Sequence, residues 1–240
     1  MCIIVYKPSE AKLPNKKRLK KCWQNNPDGA GYMFPSKDNV IIKKGFMTFD
    51  EFYKQLIYDK NQYGEFTPFV LHFRVSTQAG VSKECTHPFP LSSNMDNLKK
   101  LRAKCQCGIA HNGVIELTSD RYNKTITYSD TMKFITDYLT LIITTTKWYN
   151  DPTKKLLIER LAESKLAIMM GDGHVELIGK FIEEDGCFYS NEYYKEDRWK
   201  PTTKLYTRYE ELEDLEDLEY ADWSEEEWEK FRKKYSLNQK

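Results

Sequence analysis

Apolar and polar positions along the chain follow two different periods, and the changes between them predict the order of the elements. Short runs rich in Ile, Val and Phe predict strands. Over 129–143, apolar residues recur at the spacing of one helical face and predict a helix. The residues of this face are Ile135, Tyr138, Leu139 and Ile142. The predicted strands are 2–6, 31–34, 39–45, 69–75, 108–115, 165–170, 174–179, 180–184 and 187–191, and further helices are predicted within 11–25, 49–59 and 153–164.

The segments between these elements predict how the strands are connected. A Gly-Asp-Gly sequence at 171–173 separates two strands, and Asp185-Gly186 separates the next two, which is typical of β-hairpins. Asn-Pro and Asp-Gly within 26–31 predict an irregular turn. Because groups of strands are separated by groups of helices, we expect an α+β fold in which helices cover sheet layers.

Charge is unevenly distributed over the 240 residues, although the net charge is only +1. Residues 1–60 have a net charge of +6, and residues 205–240 have a net charge of −6. We therefore predict a globular domain over 1–208 and an acidic helical tail over 209–240, which is either a solvated helix or a surface for a protein partner. The basic run at 16–21 predicts a solvated helix face, and nucleic-acid binding is not expected because no aromatic stacking pattern accompanies it.

Signals for export, membrane insertion and metal binding are weak in this sequence. The first residues lack the long apolar stretch of a secretory signal, and no apolar run approaches the length that crosses a membrane. The six cysteines form neither a C-x-x-C pair nor a zinc ligand set. We therefore expect a cytoplasmic protein with reduced thiols, without a metal site and without membrane association.

Cys2 directly follows the initiator methionine at the start of the first predicted strand. Removal of Met1 would free the α-amino group of Cys2, whose reference pKa of about 7.7–8.0 leaves much of it neutral near pH 7 to 8. That amine can take the thiol proton directly or through a water molecule, so Cys2 would contain its own general base. The alternative interpretation is a small, buried and unreactive thiol.

Three further positions have both a structural and a functional interpretation. Arg74 in an otherwise apolar strand predicts either an internal ion pair or a fork that binds a substrate carboxylate. Asn112 followed by Gly113 predicts either a type I′ turn or a pair of hydrogen-bond donors for an oxyanion. Asp130 begins a helix, where it either caps the helix in competition with Ser129 or binds a substrate ammonium group.

The order of these segments resembles the glutaminase domain of class II glutamine amidotransferases. The segments are Cys2 behind Met1, then NPDGAG, HFRVSTQAG, THPF, AHNG and YSDT. KLAIMMGDGHVELIG and EDGCFYSN are similar to the closing hairpins of small stand-alone members, many of them from phages or bacteria. The resemblance covers residues 2–195. It implies an αββα four-layer sandwich, the fold of N-terminal-nucleophile hydrolases, and a location in the cytoplasm of a bacterium or a phage-infected host.

The resemblance also implies a reaction and a set of site residues. The reaction is hydrolysis of the glutamine side-chain amide to glutamate and ammonia through a thioester intermediate. No cofactor is expected, and the ammonia would supply a separate synthase partner. The implied residues are Cys2, Asn112 and Gly113 for catalysis, and Arg74, Thr77 and Asp130 for substrate binding.

Two alternatives remain open at the level of sequence. HFRVSTQAG has one more residue between Thr77 and Gly80 than the usual segment of the family, so hydrolysis of a different amide is the first alternative. The second is a catalytically inactive chain that keeps the fold as a binding or inhibitory module, with the tryptophan-containing acidic tail as its contact surface.

Overall fold

The computed structural model describes residues 2–76, 80–119 and 128–195. Within these ranges the chain has a mixed α/β fold built on two antiparallel sheets. The strands are β1 (Ile3–Lys7), β2 (Ala30–Ser36), β3 (Asn39–Phe46), β4 (Phe69–Phe73), β5 (Phe89–Pro90), β6 (Arg102–Cys105), β7 (Cys107–Asn112), β8 (Lys165–Met170), β9 (Val175–Ile178), β10 (Ile182–Glu184) and β11 (Cys187–Tyr189). The helices are α1 (Lys16–Asn25), α2 (Phe49–Tyr63), α3 (Met95–Lys99), α4 (Asp130–Phe134), α5 (Thr140–Ile142) and α6 (Pro152–Ala162), with a π-helical turn at Ile135–Leu139 and 3₁₀ turns at Glu116–Thr118 and Trp148–Asn150.

The strand order places the start of the chain inside a sheet. Among the described residues, the larger sheet has seven strands in the order β10-β11-β1-β4-β2-β3-β6, and the smaller has four in the order β5-β7-β8-β9. Strand β1 therefore lies between β11 and β4, with Ile3 opposite Phe73. Because the neighbouring strands hold β1 on both sides, the position of Cys2 just before it is well defined by backbone pairing.

Local turn chemistry explains the hairpins. Strands β8 and β9 pair across the Gly-Asp-Gly turn, and β10 pairs with β11 across Asp185-Gly186, as the sequence predicts. Asp185 and Gly186 have φ values of 52° and 74°, which are the positive values that a type I′ turn requires. The β2–β3 hairpin uses Lys37 and Asp38 in the same way, with φ values of 49° and 57°.

The predicted helix over 129–143 is present as α4, the π-helical turn and α5 in succession. Ser129 caps its start, because the Ser129 hydroxyl accepts a hydrogen bond from the backbone N–H of Met132 at 3.2 Å. Most of the predicted apolar face is buried, with Ile135 and Leu139 fully covered. This face packs on the smaller sheet and fixes the helix start beside the end of β7.

Buried apolar side chains form three clusters that show which surfaces pack together. One cluster joins the larger sheet to helices α1 and α2, and a second joins the smaller sheet to the helices from α3 to α6. The third contains side chains of both sheets: Ile4, Met33, Val40, Ile42, Val70, Ala110, Ala167 and Met169. Successive side chains of β1 point to opposite faces of the larger sheet. Ile3 and Val5 belong to the cluster with α1 and α2, whereas Ile4 belongs to the cluster that contains side chains of both sheets.

Some elements differ from the sequence-based expectation. Strand β4 ends at Phe73, so Arg74 lies just beyond the strand rather than within it. At this position the backbone of Arg74 pairs with the 26–31 turn: the Arg74 N–H donates to the Gly29 carbonyl at 2.9 Å, and the Asp28 N–H donates to the Arg74 carbonyl at 3.0 Å. The short elements β5, β6 and α3 are additional to those predicted.

The predicted tail falls outside the described part of the chain. The acidic segment at 209–240, and with it the boundary at residue 208, lies beyond residue 195 and remains a prediction. The αββα four-layer description also remains a prediction. No helix in the described ranges combines the length and the apolar character needed to cross a membrane.

Candidate active site

A small cavity brings together residues that are far apart in the sequence. Its volume is about 20 Å³, which is enough for about one water molecule. The described residues that line it are Cys2, Arg74, Val75, His87, His111, Gly113, Ser129, Asp130 and Thr131. Four of the six residues implied by the resemblance are therefore neighbours around one space.

The Cys2 thiol lies against the backbone that follows β4. Its Sγ atom is 3.4 Å from the N–H of Val75 and 3.5 Å from the Val75 carbonyl oxygen. The pairing of Ile3 with Phe73 explains this contact, because continuation of the two antiparallel chains places Cys2 near Val75. The Cys2 carbonyl accepts a hydrogen bond from the side chain of Asn191 at 2.7 Å, which holds the other side of the segment.

The half-buried thiol of Cys2 is a weak acid in this environment. Burial raises its pKa above the ordinary value of a cysteine, whereas the hydrogen bond from Val75 and the positive charge of Arg74 lower it to a smaller extent. At neutral pH the thiol is therefore protonated. Use of Cys2 as a nucleophile needs a base that removes this proton.

Arg74 contributes a buried cation to the cavity wall and also organises the loop that follows it. Its guanidinium donates to the hydroxyl of Ser76 at 3.1 Å and to the carbonyl of Gly80 at 2.8 Å. The Ser76 N–H donates to the Asp28 carboxylate at 2.8 Å. Ser76 and Gly80 thus contact Arg74 directly. Thr77, the second residue implied for carboxylate binding, lies outside the described residues.

Asp130 is placed by the first turn of α4 and binds the loop after Gly113. One carboxylate oxygen accepts from the backbone N–H of Ile115 and the other from that of Thr131, both at 2.8 Å. Because Ser129 is the helix cap, the carboxylate of Asp130 is available for these contacts. Each carboxylate oxygen keeps further acceptor capacity, which a substrate ammonium group can use.

Gly113 occupies a position that a side chain would strain. Its φ is 147°, and a Cβ atom built there would lie 2.6 Å from the Cβ of Ser164. The Asn112-Gly113 pair is not a hairpin turn, because β7 pairs with β5 and β8 and the chain continues into a 3₁₀ turn. The backbone at Gly113 therefore lines the cavity with no side chain in the way.

Among the implied site residues that the structure describes, Asn112 is the one outside the cavity wall. It is buried, and its side-chain Nδ2 donates to the hydroxyl of Ser190 at 2.8 Å. Its Oδ1 atom is buried without a hydrogen-bond partner among the described residues. Asn112 therefore directly precedes Gly113, a residue of the cavity wall, but its side-chain NH₂ group donates to Ser190.

Three buried histidines lie at or near the cavity. His87 and His111 line it, and His72 lies beside His87. Burial lowers the pKa of His72 to about 3, that of His111 to about 4, and that of His87 well below its ordinary value. All three rings are therefore neutral at pH 7. His72 donates through Nε2 to the carbonyl of His111 at 2.9 Å. Both ring nitrogens of His87 lack a hydrogen-bond partner among the described residues.

His111 contacts a hydroxyl group at each ring nitrogen. Its Nε2 lies 2.8 Å from the Ser164 hydroxyl, which is also 2.9 Å from the Ala162 carbonyl oxygen. Its Nδ1 lies 2.7 Å from the Thr131 hydroxyl. This chain of contacts ties the end of β7 to the first turn of α4, beside Asp130.

The sequence alone missed several residues that shape this site. His87 and His111 belong to the segments THPF and AHNG of the resemblance, which implies no role for either histidine. Ser190 and Asn191 end the segment EDGCFYSN, which predicts only a hairpin, although their side chains bind Asn112 and the Cys2 carbonyl. No group of three or more His, Cys, Asp or Glu side chains in the described ranges is placed to hold a metal ion.

The arrangement places a thiol, a buried cation, a buried carboxylate and the backbone of a glycine around one space. These groups suit attack on a carbonyl group of a substrate that has both an anionic and a cationic end.

No protein-family model matches this chain, and no curated protein matches it in sequence.

Proposed function

We propose that this protein is a glutaminase-type amidohydrolase that uses Cys2 as an N-terminal nucleophile. The convergence of Cys2, Arg74, Gly113 and Asp130 on one cavity is the observation that supports the proposal most strongly. These four residues come from the start of β1, the end of β4, the end of β7 and the start of α4. Shared placement around one cavity is what a catalytic site with these roles requires.

The free amine of Cys2 is the base in this proposal. The raised pKa of the thiol means that it does not ionise on its own at neutral pH. After removal of Met1, the α-amino group takes the thiol proton, and Sγ attacks the side-chain amide carbon of glutamine. The protonated amine then gives a proton to the departing ammonia. Water hydrolyses the resulting thioester to glutamate and regenerates the thiol.

Substrate recognition follows from the charges in the wall. The guanidinium of Arg74 binds the α-carboxylate of glutamine, and the carboxylate of Asp130 binds its α-ammonium group. The backbone N–H of Gly113 donates to the oxyanion that forms during attack, together with Nδ2 of Asn112.

The fold is part of the same proposal. A cluster of side chains from both sheets, with helices packed on the outer surface of each sheet, supports an αββα sandwich. In such a sandwich the nucleophile stands at the start of a strand held on both sides, which agrees with the place of Cys2 before β1.

Turnover of glutamine by the purified chain tests the proposal. The mass of the intact protein first establishes that Cys2 is the N-terminal residue. Glutamate and ammonia are then measured for the wild type, for Cys2→Ala, and for Cys105→Ala as a matched control. Cys105 is the other described cysteine that is only half-buried, and it is not in the cavity wall. We expect turnover by the wild type and Cys105→Ala, and none by Cys2→Ala.

Two outcomes would favour the alternatives. Absence of turnover by protein with a confirmed Cys2 N-terminus would reject the glutaminase proposal in favour of an inactive binding or inhibitory module. Clear preference for another amide in a substrate panel would keep the nucleophile but reject glutamine as its substrate. Supply of ammonia to a separate synthase is a further part of the proposal and applies only if glutamine is hydrolysed.

A further inference from the structure

Ser190 connects the strand of the proposed nucleophile to the strand of the proposed oxyanion donor. It directly follows β11 and is completely buried. Its hydroxyl oxygen accepts from the N–H of Ile4 in β1 and from Nδ2 of Asn112 in β7, each at 2.8 Å. Its own N–H donates to the Ile4 carbonyl at 3.0 Å, so its backbone is fixed on β1.

The hydrogen bonds around Ser190 leave one end of the Asn112 amide unused. Ser190 Oγ has two lone pairs, and the donors of Ile4 and Asn112 use both. Oδ1 of Asn112 is buried with no hydrogen-bond partner in the described part of the chain. A buried acceptor without a partner is costly, so the Oδ1 end of the amide destabilises this arrangement.

A half-turn of the Asn112 amide would give Oδ1 a partner but leave the buried Nδ2 without one, and this exchange has a catalytic consequence. The two ends of an amide are nearly equal in size, so the rotation exchanges them without a change in packing. The Ser190 O–H then donates to Oδ1, while Ser190 Oγ still accepts from Ile4. Nδ2 moves to the position that Oδ1 now occupies, where both of its protons are free for another acceptor.

We propose that Ser190 is a positioning residue that sets the orientation of the Asn112 amide for catalysis. Its hydroxyl holds the amide in either orientation, because a hydroxyl both donates and accepts. When the substrate oxyanion forms, the orientation that releases Nδ2 is favoured, and Ser190 keeps the amide in place by donating to Oδ1. This inference rests on the proposed glutaminase function, in which Asn112 contributes an oxyanion donor.

Kinetics of three Ser190 variants test this role. Ser190→Ala removes the group that holds the amide, and we expect kcat to fall by about tenfold or more, up to the loss of about 10²–10³ that removal of an oxyanion donor causes. KM for glutamine should change little, because the oxyanion exists only after attack begins. Ser190→Thr keeps the hydroxyl and should restore kcat, whereas Ser190→Val, similar in size to Thr, should not.

A double variant and a matched control separate positioning from general loosening of the fold. If Ser190 acts through Asn112, Ser190→Ala should cause no further loss of kcat in an Asn112→Ala background. Thr86→Val is the control, because the Thr86 hydroxyl is also fully buried and accepts a backbone N–H, that of Gly45, at 2.8 Å. It should lower the melting temperature to a similar extent and leave kcat near the wild-type value.

The results distinguish failure of this inference from failure of the proposed function. If the wild type with a confirmed Cys2 N-terminus has no glutaminase activity, the proposed function fails and this inference falls with it. If the wild type is active, an unchanged kcat in Ser190→Ala would overturn the role of Ser190. A further loss in the double variant, or an equal loss of kcat in Thr86→Val, would overturn it as well.

Discussion

The carboxylate of Asp130 allows a quantitative prediction that separates its structural role from its proposed role in binding. Both of its oxygens accept a backbone N–H at 2.8 Å, from Ile115 and from Thr131. All three residues are buried, so water cannot replace the carboxylate as the acceptor without some opening of the structure. Removal of the side chain therefore affects stability as well as any ligand.

The magnitude follows from the chemistry of these two contacts. Hydrogen bonds to a charged group contribute about 1.5–3 kcal/mol each, and the two share one carboxylate, so we expect Asp130→Ala to lower the free energy of unfolding by about 3 kcal/mol. Asp130→Asn keeps one acceptor oxygen but turns an NH₂ group toward one of the two N–H donors. We expect it to cost about 2 kcal/mol.

Urea denaturation of the two variants measures these changes, with Asp137→Ala as a control because Asp137 is exposed on the following helical turn. The control should stay within about 0.5 kcal/mol of the wild type. In glutamine turnover, Asp130→Asn should raise KM by about tenfold or more, since an amide cannot form the charged contact with an ammonium group. Loss of less than about 0.5 kcal/mol in Asp130→Ala would refute the structural reasoning. An unchanged KM in Asp130→Asn would refute the binding role.

Three further predictions concern stability. His72 has a pKa of about 3 in the folded protein, below its value of about 6.5 in the unfolded chain. Stability is therefore lost as the pH falls, and the contribution of His72 to the unfolding free energy should drop by about 2 kcal/mol from pH 6.5 to 4.5. Urea titrations at both pH values should show a smaller drop for His72→Gln, and equal drops would contradict the prediction. Gly31→Ala would place a Cβ atom 2.3 Å from the backbone oxygen of His87 and should cost about 1–3 kcal/mol, measurable as a lower melting temperature. Trp148→Ala removes a fully buried ring and should lower the free energy of unfolding, measured in urea, by about 3–5 kcal/mol. A decrease below about 1 kcal/mol would show that neighbouring side chains move in to fill the space.

Elements with strong local signals were predictable from the sequence. The Asp185-Gly186 hairpin follows from the turn type that these residues favour, and the 129–143 helix follows from its apolar period. Strand β5 has only two residues, Phe89–Pro90, and gives no periodic signal. It is held by its pairing with β7, which is a long-range contact that no local pattern contains.

The burial of Lys44 is a second feature that local sequence does not predict. Lys44 lies in a strand of alternating pattern, and a lysine there is expected to reach solvent. In the structure its ammonium group is buried, donating to the carbonyls of Glu84 at 2.7 Å and Leu98 at 2.6 Å. Burial lowers the pKa of Lys44 well below its ordinary value. One acceptor lies in a loop and the other in α3, both distant in sequence, so their positions depend on the tertiary fold.

By itself, the sequence determined the residue types available for chemistry and the segments that contain them. Cys2 behind a removable methionine, an arginine in an otherwise apolar stretch and an Asn-Gly pair are all properties of short stretches. Only the tertiary structure decided which of them meet. Pairing of β1 with β4 brings Cys2 to Val75, and packing of α4 beside β7 brings Asp130 to the loop after Gly113. The tertiary structure also directs the Asn112 amide to Ser190, because the orientation of a side chain depends on partners that the local sequence does not contain.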